Sequence, residues 1–348
     1  MTPNLPPIAI TGIGSVTPYG PLAGIIPPSP LEPSAITAWT TSGLRRAFLV
    51  QPFRPASVVP GLKTRRLDRL SAWSLVASSL AIQDAGIDLS QVERSRVAVV
   101  FATAFGCVDL TEAFYLSAAA NGWNGTDPST FAETLPSAPA SHVSLFHGLR
   151  GPNITVSNKY FAGEIALIQA ASLLRHGQAD LAIVLAGDAL AKTLYSWYEV
   201  AGLLSPACYN SDPLVEADGF IPSEGVAALV MEPFGARPYA RISSGRWASG
   251  GQPSEIIRQM LGGSVPGLTI CTGNGAPCAT SSTTALACEV CGDGAVIIPP
   301  QACAQGLNGS GALFHLILAL SSHPTSGRAL LLGTAGDREF AGVLLELP

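Results

Sequence analysis

Short runs of apolar, β-prone residues alternate with helical segments along most of the chain, and this alternation is the strongest constraint on its fold. Residues 96–103 and 180–186 are the clearest strands, and residues 69–85 and 164–176 are the clearest helices. Each of the two helices is followed by a glycine that can end it. The pattern predicts a largely parallel sheet covered by helices. A second, more compact series follows, with strands at 226–232, 238–244, 268–272, 294–298 and near 329–346, and helices at 254–261, 281–290 and 310–321.

The composition fits a large α/β protein with little polar surface. Hydrophobic residues make up 47% of the 348 residues and charged residues only 12%, whereas charged residues usually account for about 25%. The missing polar surface indicates a subunit interface, many buried parallel strands, or both. The net charge of −5 argues against nucleic acid as a partner.

Residues 151–168, GPNITVSNKYFAGEIALI, predict a strand that turns tightly into a helix. Such a turn presents one residue beside a helix N-terminus, where negative charge is stabilised. The residue at this position is Tyr160. The proline-rich segment 21–33 is predicted to be a loop.

Five segments resemble, in order, the motifs of the β-ketoacyl synthases, the condensing enzymes of the thiolase superfamily. They are IAITGIGSVTP at 8–18, the turn around Tyr160, DGFIPSEGVAALVME at 218–232, LTICTGNGAP at 268–277 and AQGLNGSGAL at 304–313. The match weakens in the last 28 residues, where GTAGDREFAG replaces the family's glycine- and phenylalanine-rich loop. The resemblance implies a five-layer αβαβα sandwich of two duplicated halves, 1–235 and 236–348, with shortened cap regions.

The catalytic set that the resemblance implies is absent from this sequence. Tyr160 stands where the family has its acyl-accepting cysteine, and Thr272 and Gln305 stand where it has two histidines; Pro300 lies near the position of its lysine. Condensation needs a thiolate to hold the acyl chain and imidazoles to stabilise the developing charge. None of the five histidines falls in a motif: His142, His147, His176, His315 and His323. We expect Tyr160 to fill the volume of the missing acyl-cysteine pocket at a subunit seam.

A helix after the strand at 96–103 is the candidate lining of an acyl tunnel. Val108, Thr111 and Tyr115 recur at helical spacing, with Phe105 on the preceding turn. These positions resemble those at which chain-length factors, the non-catalytic partners of type II polyketide ketosynthases, limit the acyl chain. The alternative is that this stripe is ordinary core or interface packing.

The cysteines allow two other hypotheses. Cys107 or Cys271 could be a relocated nucleophile, although no base stands in a recognisable arrangement with either. Cys271, Cys278, Cys288 and Cys291 do not match a common zinc spacing, so ordinary cysteines are favoured over a metal site. No phosphate-binding loop is present, and Gly12-Ile13-Gly14 lacks the third glycine of a dinucleotide motif, so no cofactor is expected.

The odd number of seven cysteines and the absence of a signal-like N-terminus favour a cytoplasmic location, and no run is long enough to predict a membrane span. The basic run Lys63-Thr64-Arg65-Arg66 is either a solvated helix start or a docking site for an acidic acyl carrier protein.

Three hypotheses about function follow. The first is a non-catalytic, chain-length-factor-like subunit that forms a heterodimer with an active ketosynthase and receives chains from an acyl carrier protein. The second is an acyltransferase or hydrolase with a relocated cysteine. The third is a homodimeric protein that binds an acyl chain or its carrier.

Overall fold

The fold is described by a computed structural model covering residues 6–26, 31, 33–37, 39–40, 45–205, 219–272, 277–292, 296–298, 310–322, 326–336 and 338–348. The strands are β1 Ile8–Thr17, β2 Gly20–Ala23, β3 Ser34–Ile36, β4 Arg45–Ala47, β5 Val97–Thr103, β6 Asn153–Ser157, β7 Leu181–Asp188, β8 Gly225–Glu232, β9 Ala240–Ser249, β10 Leu268–Thr272, β11 Val296–Ile298, β12 Gly327–Ala335 and β13 Glu339–Leu347. The helices are α1 Pro55–Val58, α2 Arg69–Asp84, α3 Val108–Asn121, α4 Pro128–Glu133, α5 Ala138–His147, α6 Ala162–Arg175, α7 Lys192–Val200, α8 Pro253–Leu261, α9 Pro277–Cys291 and α10 Ala312–Ser322.

In the described residues, eleven strands form one hydrogen-bonded sheet whose two halves have the same topology. The first half, called the first sheet below, has the order β6-β5-β7-β8-β1, and the second half, called the second sheet, has the order β11-β10-β12-β13-β9. In the first sheet, β6, β5 and β7 are parallel to one another, β8 is antiparallel to β7, and β1 is antiparallel to β8. In the second, β11, β10 and β12 are parallel to one another, β13 is antiparallel to β12, and β9 is antiparallel to β13. The sheets meet where β1 pairs with the beginning of β9, from Ile8↔Ile242 to Ile10↔Ala240. The predicted boundary at 235/236 falls between β8 and β9, and as a domain boundary it stays a prediction.

Helices and sheets stack in five layers, as the resemblance implies. Helices α2 and α5 cover the outer face of the first sheet, α8 and α9 cover the outer face of the second, and α6 and α10 lie between the sheets. Successive side chains of a strand point to opposite faces of the sheet, so each strand contributes to two cores. Val100 and Val184 pack in the central core, whereas Val99 and Ile183 pack in the outer core under α2. The predicted α/β fold class is therefore confirmed.

The predicted loop at 21–33 is wrong at its start. Residues 20–23 form β2, which pairs antiparallel with the end of β1, from Gly14↔Ala23 to Thr17↔Gly20. Gly20 has a φ of 96°, a conformation that suits glycine and lets the chain reverse at this point. A tight hairpin thus extends the edge of β1, which composition alone did not indicate.

No helix in the described part of the chain is both long and apolar enough to cross a membrane. Within the same residues, no group of three or more histidine, cysteine, aspartate or glutamate side chains is placed to hold a metal ion.

The central layer depends on a close approach between the first turns of α6 and α10. A Cβ at Gly163 would lie 2.8 Å from the Cβ of Ala312 and 3.4 Å from Leu313 Cδ1. Real Cβ atoms do not approach this closely, so a glycine is required for the two helices to meet here.

We predict that Gly163→Ala destabilises the protein. Alanine should favour the helix by about 1 kcal/mol, but the clash with Ala312 should reverse the sign and cost about 1–3 kcal/mol overall. Urea unfolding followed by circular dichroism measures the difference. Gly267→Ala is the control, because a Cβ there meets nothing within 4 Å. A Gly163→Ala variant at least as stable as the wild type would contradict the tight crossing.

Candidate functional site

The predicted strand–turn–helix is present between β6 and α6. Asn158 organises the turn: its Oδ1 accepts hydrogen bonds from the backbone N–H groups of Tyr160, at 2.9 Å, and Phe161, at 3.1 Å. The backbone N–H of Asn158 itself donates to the carbonyl of Thr103 at 3.2 Å. Backbone N–H groups at such a turn can stabilise an oxyanion. Here two of them are already paired with a side chain.

Tyr160 and Phe161 lie next to each other at this turn, with ring centroids 6.5 Å apart, but they differ in exposure. Tyr160 is 47% exposed, whereas Phe161 is 3% exposed and packs with Ile165 and Ala341. Within the described chain the buried ring at this turn is that of Phe161. That Tyr160 fills the volume of the acyl-cysteine pocket at a subunit seam stays a prediction, because a seam requires a second subunit.

Thr272, at the position of the first histidine, lies at the end of β10 and contacts Glu164 in the first turn of α6. Its hydroxyl is hydrogen-bonded to Glu164 Oε1 and lies 3.1 Å from the carbonyl oxygen of Leu332. A Cβ at Gly333 would lie 2.5 Å from Glu164 Oε1 and 2.7 Å from Thr272 Oγ1, so glycine is needed beside this pair. Sequence reasoning singled out Thr272 but missed Glu164 and Gly333.

Glu164 is a buried acid whose protonated form the site favours. Burial raises its pKa to about 7, and Oε2 has no hydrogen-bond partner among the described residues. The Thr272 hydroxyl carries one proton but faces two acceptors. A protonated Glu164 resolves this, since its O–H can donate to Thr272, which then donates to the Leu332 carbonyl. Below a pH of about 7 the site therefore holds a neutral acid next to Thr272.

A second buried carboxylate, Asp188 at the end of β7, links the turn after β5 to the residues before α10. It accepts hydrogen bonds from the hydroxyls of Thr103 and Ser310, both at 2.6 Å, and from the backbone N–H groups of Ala104 and Phe105, both at 3.0 Å. Burial raises the pKa of Asp188 to about 6. This one side chain fixes both the turn after β5 and the residue just before α10.

Charged residues at the start of α2 anchor the start of α3. Arg69 forms an ion pair with Asp109 on α3, at 2.5 Å, and a longer one with the buried Glu224, at 3.3 Å. Asp68 caps α2 through the N–H of Leu70, at 2.9 Å, and also accepts from the N–H of Leu110, at 3.1 Å. The first turn of α3, which begins at the candidate tunnel residue Val108, is therefore held rigidly against α2.

The four candidate chain-length residues occupy different surroundings. Phe105 is half-buried against Tyr198 in a separate aromatic cluster, and Val108 packs at the margin of the outer core. Thr111 is half-buried and donates to the carbonyl of Cys107 at 2.7 Å. Tyr115 is 56% exposed, beside the rings of Phe114 and Trp123. That they line a tunnel stays a prediction, which requires a second subunit.

The cysteines proposed as relocated nucleophiles are poorly placed for that role. Cys107 and Cys271 are both fully buried. Burial raises the pKa of the Cys107 thiol far above its usual range and that of Cys271 to about 12. Both are neutral thiols at pH 7, whereas the thiolate is the nucleophile.

The histidines of the described residues are engaged elsewhere. His142 contacts Glu133 at 2.7 Å, His147 contacts Ser78 at 3.1 Å, and His176 contacts the carbonyl of Ser172 at 2.8 Å. His315 is buried in α10, where burial lowers its pKa to about 4 and its Nδ1 contacts the Gly311 carbonyl. Gln305, Pro300 and His323 lie outside the described residues.

Comparison with known proteins defines the class. The model of the β-ketoacyl synthase N-terminal domain matches residues 30–234, more than half of the chain, and the chain belongs to this family. A putative polyketide β-ketoacyl synthase 1 of Streptomyces cyaneus is 29% identical over 246 residues, covering 65% of this chain and 58% of the relative. The chain spans only about three fifths of the length of the curated relatives it matches.

Two solved structures share the fold over almost the whole chain. The ishigamide ketosynthase/chain length factor superposes with a TM-score of 0.82 at 16% identity, covering 99% of this chain and all of that one. A type II polyketide synthase ketosynthase, bound to a hexaketide and in complex with its acyl carrier protein, gives 0.79 at 18% identity, covering 99% of this chain and 100% of the other. The predicted thiolase-like fold agrees with both.

We predict that Glu164 makes stability depend on pH. Its folded pKa of about 7 lies above its ordinary value of 4.5, so between these pH values the folded protein binds more protons than the unfolded chain. The free energy of unfolding should therefore fall as pH rises from 4.5 to 7, by up to about 3 kcal/mol. Glu164→Gln should remove the contribution of Glu164 and leave the part below pH 6 that Asp188 also causes. The variant should be more stable than the wild type at pH 8.

Urea unfolding at pH 4.5, 6 and 8 measures this effect. Glu255→Gln, an exposed change in the first turn of α8, is the control and should leave the pH profile unchanged. Equal pH profiles for wild type and Glu164→Gln would show that Glu164 is ionised at no cost in the folded protein.

Proposed function

We propose that this chain is a non-catalytic ketosynthase-like subunit, of the chain-length-factor kind, that pairs with an active ketosynthase in polyketide or fatty-acid-like biosynthesis. One observation carries the proposal: the position of the acyl-accepting cysteine holds a half-exposed tyrosine beside an unpaired strand edge, on a preserved ketosynthase fold. In this proposal the ketosynthase fold is kept, while the side chains that would hold and activate an acyl chain are replaced.

The chemistry of the site supports the lack of catalysis. Condensation needs a thiolate and proton-transferring imidazoles. Tyr160 offers a phenol in place of a thiol, and Thr272 is bound to a buried acid. Both thiols considered as substitutes, Cys107 and Cys271, are buried and neutral. This argues against the acyltransferase or hydrolase alternative.

The edge of the first sheet supports a subunit interface. β6 is the last strand of the sheet and pairs only with β5 within the described chain. An open edge of this kind invites a further strand. On neighbouring α5, Leu145 is 76% exposed and Phe146 is also exposed. We place the equivalent strand of a ketosynthase antiparallel to β6, about a two-fold axis near Thr155, the middle residue of this strand.

The outer face of α3 and α4 is a second exposed apolar surface. Phe114, Tyr115, Trp123 and Phe131 form an aromatic patch whose ring centroids lie 5.6–6.4 Å apart. All but Phe114 are more than half exposed. A monomer rarely leaves such a patch in water. In a heterodimer, Tyr115 and Thr111 would face the partner, where their bulk can limit the growing chain.

An acyl carrier protein is the expected source of that chain. Arg54, Lys63, Arg65 and Arg66 are exposed on the segment between α1 and α2 and its flanks. A cluster of exposed cations suits an acidic carrier and would accelerate its docking. A cytoplasmic location belongs to the same proposal.

We predict that the purified chain alone neither condenses nor decarboxylates malonyl-carrier substrates, and that it co-purifies with a co-encoded, catalytically complete ketosynthase. Thr155→Asp should weaken the pair at least about tenfold, because it buries a charge at the strand edge. Ala285→Asp, on the exposed side of α9 in the other half, should not. Size-exclusion chromatography with light scattering measures assembly.

Three results would argue against this proposal. Turnover by the chain alone that is lost on mutating one of its own cysteines would favour the relocated nucleophile. A stable homodimer that excludes the ketosynthase would favour a self-contained binding protein. A monodisperse monomer that ignores the ketosynthase would remove the interface.

We also predict that α3 sets product length in the heterodimer. Tyr115→Ala should allow longer products because it removes the bulkiest side chain of the stripe, and Thr111→Phe should shorten them. Since Tyr115 is mostly exposed in the single chain, its truncation should cost this subunit little stability. Mass spectrometry of carrier-bound products measures the distribution. An unchanged distribution from intact complexes would assign the stripe to packing alone, and Leu116→Ala, also exposed on α3, is the matched control.

A further inference from the structure

The space beside position 160 is occupied from within this chain. An acyl chain attached at residue 160 could extend outward, toward solvent or a partner, or inward, between the first turn of α6 and the strands of the second sheet. Phe161 fills the inward direction: its ring lies in a small cluster with Ile165 and Ala341, flanked by Val156 and Ala335. At 3% exposure the ring leaves almost no contact with water.

The surroundings are built to accept these large side chains. Gly333 and Ala335 lie two residues apart on β12 and so face the same side of the sheet. Gly333 makes room for Glu164, and Ala335 and Ala341 contact Phe161. Small residues on the sheet thus match bulky residues on the first turn of α6, which is how a close-packed core excludes any further group.

From this packing we propose that Phe161 is a plug: it occupies the space that an acyl chain bound at position 160 would need, with Glu164 closing the adjacent space. This inference rests on the proposed function, and it specifies that the assembly holds a growing chain only in the partner's tunnel. It follows from the proposal that a change at Tyr160 alone does not rebuild an acyl site in this subunit.

The test uses alkylation of a cysteine placed at the turn. In Tyr160→Cys, the thiolate displaces iodide from a reagent: an S–C bond forms, the C–I bond breaks and iodide leaves. Iodoacetamide is the small probe and N-octyl iodoacetamide is the acyl-sized probe. The full-length protein is labelled, and trypsin cleavage after Lys159 releases residues 160–175, so that mass spectrometry follows this site apart from the native cysteines.

In Tyr160→Cys/Phe161→Ala we expect the octyl probe to react at least about tenfold faster than in Tyr160→Cys, because burial of two methylene groups already corresponds to about tenfold. The rate with iodoacetamide should change less than about threefold, since the small probe gains no burial. Tyr160→Cys/Leu167→Ala is the matched control. Leu167 is fully buried in the same helix but lies in the central core, away from Phe161, so its truncation should not favour the octyl probe.

An unchanged ratio of the two rates in folded Tyr160→Cys/Phe161→Ala overturns the plug, and so does an equal gain in the Leu167→Ala control. Phe161→Leu in the same background retains most of the core and should give an intermediate gain; a folded Phe161→Leu variant without any gain also overturns it. The labelling needs no ketosynthase, so its outcome is separate from that of the co-purification, which tests the proposed function.

Discussion

The close contact between α6 and α10 is the constraint on which the rest of the structure depends. Both helices begin in the central layer, and Gly163 lets their first turns approach within the distance of a single methyl group. Because each helix lies between the two sheets, this crossing sets the distance between the two sheets. It also brings the ends of β5, β7, β10 and β12 to one place, where Asp188 and Glu164 form their hydrogen bonds.

Most of the polar groups at this place are hydrogen-bonded to one another. Asp188 accepts hydrogen bonds from the turn after β5 and from Ser310 before α10, and Asn158 accepts them from the turn before α6. Glu164 and Thr272 bind each other. In an enzyme, some of these donors would be left free for a substrate and a transition state. Here side chains of the same chain use them, and this costs burial of two carboxyl groups whose pKa values are raised. This arrangement supports the proposed non-catalytic role.

Much of the fold could be predicted from the sequence because its signals are local. The strand β5, the helix α2 and the turn before α6 each follow from periodicity and glycine placement within a few residues. The start of the proline-rich loop was predicted wrongly, because β2 exists only through its pairing with β1. The site was predicted in part: Tyr160 and Thr272 stand at motif positions, whereas Glu164 and Gly333 became visible only through contacts made across more than a hundred residues.

The sequence by itself determined the family, because residue identity at motif positions is local information. It also predicts that the family's reactive groups are replaced. Only the tertiary structure decided that Phe161 is buried while Tyr160 stays half-exposed, and that burial raises the pKa of Glu164. The direction of a side chain at a turn depends on the layer that the following helix enters. The protonation of a carboxyl group depends on how completely distant residues remove it from water. Neither quantity is encoded within a short window of the chain.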